Sequence, residues 1–133
     1  MAVTRDGLEA FAFSARRVEK PWGYELIWAH SEHYCGKLLF IRKGEQLSLQ
    51  FHNEKDESWL VHSGRAKLEL GDAGQRLLHE EVIGPGAAFR YRPGTVHRVT
   101  AIEDTTIIEV STPQLDDIVR LEDLYGREGT AEP

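Results

Sequence analysis

The stretch from Gly44 to Trp59, GEQLSLQFHNEKDESW, decides our interpretation of this chain. Its first part alternates polar and apolar side chains, which is typical of a β-strand because successive side chains point to opposite faces. The polar face would comprise Gln46, Ser48, Gln50 and His52, and the apolar face Leu47, Leu49 and Phe51. The polar face lies either in water or inside a barrel. In the second case another sheet or a second subunit must cover the apolar face.

Nitrogen and oxygen donors gather around this strand. Gln50 and His52 lie at its end, Glu57 follows a short turn, and the turn Pro93-Gly-Thr-Val-His97 delivers a further imidazole. A catalytic metal needs a few protein ligands and an open position, and two imidazoles, a carboxylate and an amide oxygen meet that need. Two plainer interpretations remain open: His52 as a hydrogen-bonded barrel histidine, and Gln50 as a side chain that orients a water molecule.

The rest of the chain reads as short strands separated by glycine, proline, asparagine and aspartate turns. The predicted strands cover residues 24–29, 37–42, 46–51, 58–62, 66–70, 76–83, 88–91, 96–101 and 105–110. Strands at this spacing predict an all-β sandwich or barrel. Residues 1–17 form a predicted arm and residues 18–133 the predicted domain. Apolar residues at steps of three or four predict a short helix or turn over residues 114–125.

Composition narrows the function classes. The chain has 133 residues, which suits one domain, and a net charge of −6, which argues against a nucleic-acid partner. It contains no apolar run of membrane-spanning length, so we expect no membrane partner. Cys35 is the single cysteine, which excludes an intrachain disulfide. We therefore expect a cytoplasmic protein.

Two motifs resemble those of the cupin superfamily. Residues 44–52, 57–59 and 63–64 resemble the first cupin motif, and residues 86–97 resemble the second. Within the cupins the chain looks most like the type II phosphomannose isomerase domain, which is commonly the C-terminal half of bifunctional mannose-1-phosphate guanylyltransferases. Further similar segments are 20–25, 94–98, 108–110 and 117–127. The resemblance spans residues 18–127 and implies a single-domain jelly-roll β-barrel.

This resemblance implies a metal-dependent isomerase. Gln50, His52, Glu57 and His97 match the metal-ligand positions, with Gln50 where most cupins carry a histidine. The metal is one divalent ion, Zn first, with Mn, Fe, Co or Ni as alternatives. Lys37 and Arg98 match basic positions near the sugar-phosphate pocket and are the predicted catalytic side chains, with Arg92 a further candidate to hold the phosphate. The implied reaction converts mannose 6-phosphate to fructose 6-phosphate, in a homodimer.

The motif also departs from the family, and alternatives follow. Asn53, Glu54 and Ser58 stand where related isomerases often carry histidines, and Lys55 replaces a usual arginine. The alternatives are a non-catalytic module that binds a sugar or another metabolite, and a different cupin enzyme such as an epimerase or an iron-dependent oxygenase. A glutamine in place of an imidazole disfavours the oxygenase.

Overall fold

The computed structural model describes residues 7–8, 10–72 and 79–130. Within them the chain forms two antiparallel sheets of six strands each. The first sheet contains, in spatial order, β1 (Arg16–Lys20), β2 (Gly23–His30), β3 (Cys35–Ile41), β10 (Thr105–Ser111), β5 (Glu57–Ser63) and β8 (Ala88–Tyr91). The second contains β12 (Gly129–Thr130), β11 (Val119–Glu122), β4 (Leu49–Phe51), β9 (Thr95–Ala101), β6 (Ala66–Asp72) and β7 (His79–Ile83). The predicted all-β class is confirmed.

The hydrophobic core lies between the two sheets. Leu39, Val61 and Ile107 contribute from the first sheet, and Leu68 and Val99 from the second, all of them buried. Alternation along each strand places these side chains on the inner face, so the sheets stack as in a jelly roll. No helix in the described ranges has the length and hydropathy of a membrane span.

Gly64 closes the tight connection between β5 and β6. Its φ of 93° lies in the left-handed region, where a side chain is strained. A Cβ atom at this position would lie 2.2 Å from the carbonyl oxygen of Asp104. The turn therefore requires glycine for both its backbone conformation and its packing.

Of the helix or turn predicted over residues 114–125, the helix is wrong, whereas turns form at residues 115–116 and 124–125. The segment contains β11, which pairs with β4 so that Arg120 lies opposite Gln50. The spacing of its apolar residues suggested a helix, but β4 has an edge whose backbone groups need partners. Pairing with that edge prevails over the local pattern, and turns occupy the remainder of the segment.

The predicted alternation along residues 46–52 is also interrupted. Gln46 pairs with Thr100 and Gln50 with His97, so one strand uses one more residue than its partner between the two pairs. This is the signature of a β-bulge, which changes the face on which side chains emerge. The Gln46 side chain accordingly bonds to Thr100 Oγ1, at 3.0 Å, on the face opposite Gln50. The prediction that Gln46 shares the site's face is wrong.

The apolar face predicted for the same strand does not form a free surface. Leu47 belongs to the core cluster between the sheets, and Leu49 is equally buried at 5% exposure. A single chain therefore already buries Leu47 and Leu49, which weakens the argument for a homodimer through this face, whereas Phe51 is half-buried. The homodimer itself stays a prediction. Light scattering, which measures the molar mass in solution, tests it.

Two boundary predictions touch residues that the structure does not describe. β1 begins at Arg16, inside the predicted arm, whereas residues 1–6 and 9 of that arm lie outside the described part. The strand predicted over 76–83 corresponds to β7, while residues 76–78 are likewise outside it.

Candidate metal centre

Three buried side chains from both sheets meet at one point. His52 directly follows β4, Glu57 opens β5, and His97 lies in β9. Glu57 Oε2 is 3.3 Å from His52 Nε2, and Glu57 Oε1 is 3.1 Å from His97 Nε2. The donor atoms of the three residues lie within 4.8 Å of one another, close enough to surround one ion. The structure thus brings together three of the four predicted ligands as a possible metal site.

Backbone carbonyls orient both imidazoles. His97 Nδ1 lies 3.0 Å from the carbonyl oxygen of Thr95, and His52 Nδ1 lies within hydrogen-bonding distance of the carbonyl of Asp117. A carbonyl oxygen only accepts, so each Nδ1 carries the proton and donates it. Nε2 of each ring faces Glu57 and is the atom that would bind an ion. This is the usual arrangement of a metal-binding histidine, whose second nitrogen is held by a neighbouring acceptor.

The side chain of Asp117 also holds the loop between His52 and Glu57. Its carboxylate accepts hydrogen bonds from the backbone N–H groups of Asn53, Glu54 and Lys55 at 2.6–2.9 Å. Burial alone would raise the pKa of Asp117, but these three bonds outweigh it and lower the pKa. One residue outside the sequence motif therefore fixes the first imidazole and the loop beside it.

Aromatic rings pack around His97. The Tyr91 ring stacks on the imidazole with centroids 4.2 Å apart and planes within 3°. The Trp59 ring meets the same imidazole edge-on at 5.5 Å. Burial, with Glu57 and Glu109 nearby, raises the pKa of the Tyr91 hydroxyl, which therefore stays neutral. These rings leave His97 little freedom to rotate.

Gln50 provides the test of whether the site fits a metal. Its side-chain oxygen is buried and has no hydrogen-bond partner among the described residues. A buried amide oxygen without a partner is costly, because it has lost its water and gained nothing. Gln50 lies next to His97 across the β4–β9 pair, and paired residues share a face. An ion at the His–Glu–His cluster would satisfy this oxygen, so the donor set fits a divalent metal.

A second charged cluster adjoins the first. The Lys55 ammonium lies 2.9 Å from Glu57 Oε2 and 3.1 Å from Glu109 Oε2, and Trp59 Nε1 donates to Glu109 Oε1 at 3.0 Å. Burial alone would lower the pKa of Lys55, but the carboxylates of Glu109 and Glu57 raise it above its usual value. Burial alone would likewise raise the pKa of Glu57, but Lys55, His52 and His97 hold it well below its usual range. Glu57 is therefore an ionised, metal-competent carboxylate.

A cavity that is open to solvent leads to these groups. Its charged lining comprises Lys20, Glu25, Lys37, Lys55, Glu57, Glu109, Arg120 and Arg127, and apolar walls come from residues such as Leu39, Leu115 and Ile118. A concave site with apolar walls and a few convergent polar groups is typical of small-molecule binding. The cavity thus gives solvent access to the candidate metal site, with charged and apolar groups beside it.

The two predicted catalytic cations are placed differently. Lys37 lines the cavity, with its ammonium 3.3 Å from Glu25 Oε2 and its side chain only 3% exposed. Arg98 lies outside the cavity, because it follows His97 in β9 and so points to the other face. There its guanidinium bonds both carboxylate oxygens of Glu69, at 3.0 and 3.1 Å. The expectation that Arg98 faces the pocket is wrong. Arg92, the other predicted phosphate ligand, is exposed and does not line the cavity.

Sequence reasoning gave no role to four residues of the site. They are Lys55, Glu109, Asp117 and Arg120. Lys55 was noted as a replacement in the motif, and the other three lie in segments quoted for the family resemblance. Their roles depend on contacts across 50 or more residues of chain, as between Glu109 and Trp59 or Asp117 and Asn53. The pattern near the motif carries no signal of such contacts.

Comparisons with known proteins agree with this geometry. The family model described as mannose-6-phosphate isomerase C-terminal matches residues 9–123. Mannose-1-phosphate guanylyltransferase 2 of Escherichia coli O157:H7 is 35% identical over 121 residues, covering 86% of this chain and 24% of its own length. The xanthan biosynthesis protein XanB of Xanthomonas campestris pv. campestris (strain B100) is 34% identical, covering 84% of this chain and 24% of its own length. The chain thus spans about a quarter of these relatives.

A solved structure shares the fold. The capsular polysaccharide assembling protein CapF from Staphylococcus aureus superposes with a TM-score of 0.74 at 15% identity, covering 87% of this chain and 34% of that one. At that identity the likeness establishes the cupin-type jelly roll alone. The family rests instead on the model that matches most of the chain. This chain therefore belongs to the family of mannose-6-phosphate isomerase C-terminal domains.

Proposed function

We propose that the chain is a metal-dependent isomerase of a sugar phosphate, with mannose 6-phosphate and fructose 6-phosphate as its substrate pair. The buried cluster of His52, Glu57 and His97 carries this proposal. His52 and Glu57 of this cluster line a cavity open to solvent, and the chain's family includes domains of enzymes that handle mannose phosphates. The homology concerns a domain of longer proteins. The experiment must therefore test whether this chain alone is active.

The cavity residues match the needs of aldose–ketose isomerisation. His52, Glu57 and His97, with Gln50, would hold a divalent ion, Zn first. When bound, such an ion supplies positive charge that polarises a substrate carbonyl and offsets negative charge developing on its oxygen. The Lys37 ammonium lines the cavity and is placed to donate a hydrogen bond to a substrate oxygen. We therefore retain Lys37 as a catalytic candidate and drop Arg98.

Moving a proton between neighbouring carbons requires a base, and Glu109 is our candidate. The cavity carboxylates outside the metal cluster are Glu25 and Glu109. Glu25 pairs with Lys37, whereas Glu109 shares the Lys55 ammonium with Glu57 and so lies beside the metal cluster. A base must lie close to the carbon whose proton it removes, and the substrate carbon lies next to the polarised carbonyl. We expect Glu109→Gln to lower kcat more than Glu25→Gln does.

The test is a coupled assay of the Zn-loaded protein with mannose 6-phosphate. We expect turnover by the wild type and loss of turnover, by a factor of about 100 or more, in His52→Ala, because a missing ligand abolishes metal-dependent charge stabilisation. His62→Ala is the matched control, since His62 is exposed on β5 and faces away from the cluster. Wild-type turnover no greater than that of His52→Ala would refute the enzyme. Sugar-phosphate binding without turnover would indicate the non-catalytic binding module instead.

A further inference from the structure

The outer face of the first sheet carries an apolar row that crosses five strands. Residues that pair on neighbouring strands share a face of the sheet, and the register connects β2, β3, β10, β5 and β8 through such pairs. The row consists of Leu26, Leu38, Ile108, Leu60 and Ala88. Leu39 and Ile107, which alternate with members of the row, are buried in the core between the sheets, so the row itself points outward.

The rows on either side extend this apolar surface. They add Trp28 and Val110 at one end and Tyr24 and Phe40 at the other. The Trp28 ring lies over Gly36, the partner of Val110, where a Cβ atom would come within 2.6 Å of the ring. Trp28, Leu60 and Val110 are 46%, 42% and 53% exposed. We refer to the row and these neighbours as the outer patch.

The outer face of the second sheet is polar by comparison. There Lys67 pairs with Thr100 and Glu69 with Arg98, while Val82 is an exposed apolar residue opposite Lys67. Antiparallel sheets with one face in water commonly place polar residues on that face. The first sheet departs from this rule, and an exposed apolar patch of this kind marks an interaction surface.

The size of the outer patch agrees with the needs of a small homodimer interface. Strands lie about 4.8 Å apart and residues on one face repeat about every 6.8 Å, so five strands and three rows span roughly 24 by 20 Å. The apolar part of this area is roughly 400 Å². A stable interface buries about 600–1,000 Å² per partner, and about 65% of a homodimer interface is apolar. The outer patch therefore supplies the apolar centre of an interface at the lower end of this range.

Charge favours a second copy of the chain as the partner. At the β1 edge of the outer patch Arg17 bonds Glu19 at 2.6 Å, and at the β8 edge Arg90 bonds Asp56 at 2.6 Å. These edge charges are thus balanced within one chain and offer little to a strongly charged partner. The chain carries a net charge of −6, so two copies repel each other through their acidic surfaces. The outer patch, with an apolar centre and balanced edges, lets two copies meet with the least repulsion.

We propose that the outer patch is the interface at which two copies of this chain pack face to face about a twofold axis. A twofold interface uses the same surface on both copies, which a flat sheet face with an apolar centre satisfies. The proposal concerns a surface on the opposite side of the first sheet from the cavity and does not depend on the proposed function.

Light scattering of the full chain over a dilution series tests the interface. We expect the wild type to have twice the 15.1 kDa mass of one chain. Val110→Lys and Leu60→Lys should each raise the Kd of the dimer about 100-fold or more, because they bring two ammonium groups into a dehydrated interface. Val82→Lys is the matched control, since it makes the same change at a valine of similar exposure, 59%, on β7. This control should dimerise like the wild type.

Trp28 reports from the outer patch itself. Trp22 and Trp59 are buried at 3% exposure each, so solvent acts mainly on Trp28. As the wild type is concentrated, its tryptophan emission should shift to shorter wavelength and acrylamide quenching should decrease. Val110→Lys should keep the emission and quenching of the diluted wild type at every concentration.

Val110→Thr keeps the proposal testable if the lysine variants do not fold. It preserves the β-branched shape and should weaken the dimer about fivefold or more, because each copy buries an added hydroxyl. A wild type that stays monomeric at about 100 μM, where a dimer of micromolar Kd would form, overturns the proposal and leaves a different protein as the occupant. A dimer that Val110→Lys and Leu60→Lys leave intact, or one that forms without a change at Trp28, overturns it as well, because the copies then meet elsewhere.

Discussion

Asp117 contacts the candidate site twice, through its backbone and through its side chain. The carbonyl accepts from His52, and the carboxylate accepts from three backbone N–H groups in the loop that leads to Glu57. Residues that hold metal ligands in position commonly affect metal affinity nearly as much as the ligands do. The positions of His52 and Glu57 therefore depend on Asp117, which lies 65 residues after His52 in the chain.

The first prediction concerns the carboxylate of Asp117. Asp117→Ala removes three hydrogen bonds from backbone N–H groups, two at exposed residues and one partly buried, and we expect it to lower the free energy of unfolding by about 1–3 kcal/mol. Because the loop then positions its ligands less well, Zn affinity should fall about tenfold. Urea unfolding and a competition titration with a chelator measure the two effects. Asp116→Ala is the control, since Asp116 is exposed and accepts from Ile118 N–H through its backbone carbonyl; equal behaviour of the two variants would contradict the role of Asp117.

The second prediction concerns Lys55. Lys55→Met leaves the buried carboxylates of Glu57 and Glu109 without the ammonium between them, so we expect a loss of about 3–5 kcal/mol in metal-free protein. Lys67→Met provides the comparison, because Lys67 is 41% exposed and 3.8 Å from Glu69, and such pairs contribute about 0–1 kcal/mol. Urea unfolding of both variants measures the difference. A cost below 1 kcal/mol for Lys55→Met would show that water solvates the two carboxylates.

At the residue scale, the sequence predicted which candidate ligands would come together, but it predicted their surroundings only in part. The spacing of Gln50, His52 and Glu57 around one turn, with His97 after a second turn, places donors on strands that the fold brings together. Arg98 shows where a family position misleads: alternation alone, applied after assigning His97 to the inside, puts Arg98 outside. The partner of Lys55 in β10, by contrast, depends on pairing between distant strands, which local pattern does not determine.

The connection between β5 and β6 is the element most dependent on a single backbone conformation. The third prediction is that Gly64→Ala lowers the free energy of unfolding by about 2–4 kcal/mol, because its φ is positive and the added Cβ meets the Asp104 carbonyl. Gly86→Ala is the matched control, since Gly86 has a φ of 90° and no atom within 4 Å of an added Cβ. It should cost only about 1–2 kcal/mol, the strain of the left-handed conformation. Thermal unfolding compares them, and equal costs would contradict the packing argument.

Most elements were predictable and the exceptions have physical causes. Strand segments such as 58–62 and 105–110 alternate clearly and form β5 and β10. β1 escaped prediction because its sequence, RRVEK, is mostly charged, as suits a strand at the edge of a sheet. A helix was predicted within residues 114–125 because the spacing of their apolar residues fits one. In the structure β11 instead forms backbone hydrogen bonds with the edge of β4. The bulge near residue 48 puts Gln46 and Gln50 on opposite faces of the sheet, and the alternation of polar and apolar residues does not reveal it.

The residues of the candidate metal centre come from both sheets of the molecule. Glu57 belongs to the first sheet, whereas His97 belongs to the second and His52 directly follows a strand of it. A ligand that binds only the folded form stabilises it, and the fourth prediction follows: free Zn at a hundredfold excess over its Kd should add about 2.7 kcal/mol to the free energy of unfolding. Thermal unfolding with Zn and with chelator measures the effect.

Two variants give this measurement its control. His52→Ala should show no Zn-dependent rise in Tm, and His62→Ala, with its exposed imidazole on β5, should show the full rise. A rise that persists in His52→Ala would indicate that the ion binds elsewhere on the molecule.

The residues after Pro113 lie beyond the last strand of the first sheet, yet they build one wall of the cavity through Leu115, Ile118 and Arg120. Trimming the protein to the strands that complete its hydrophobic core would leave a barrel without that wall and without the acceptor for the first imidazole. Insertions, fusions or cleavage in this tail should therefore disturb the candidate metal site, although they change none of its candidate ligands. A version of this domain that keeps the whole cavity lining extends at least to Arg127.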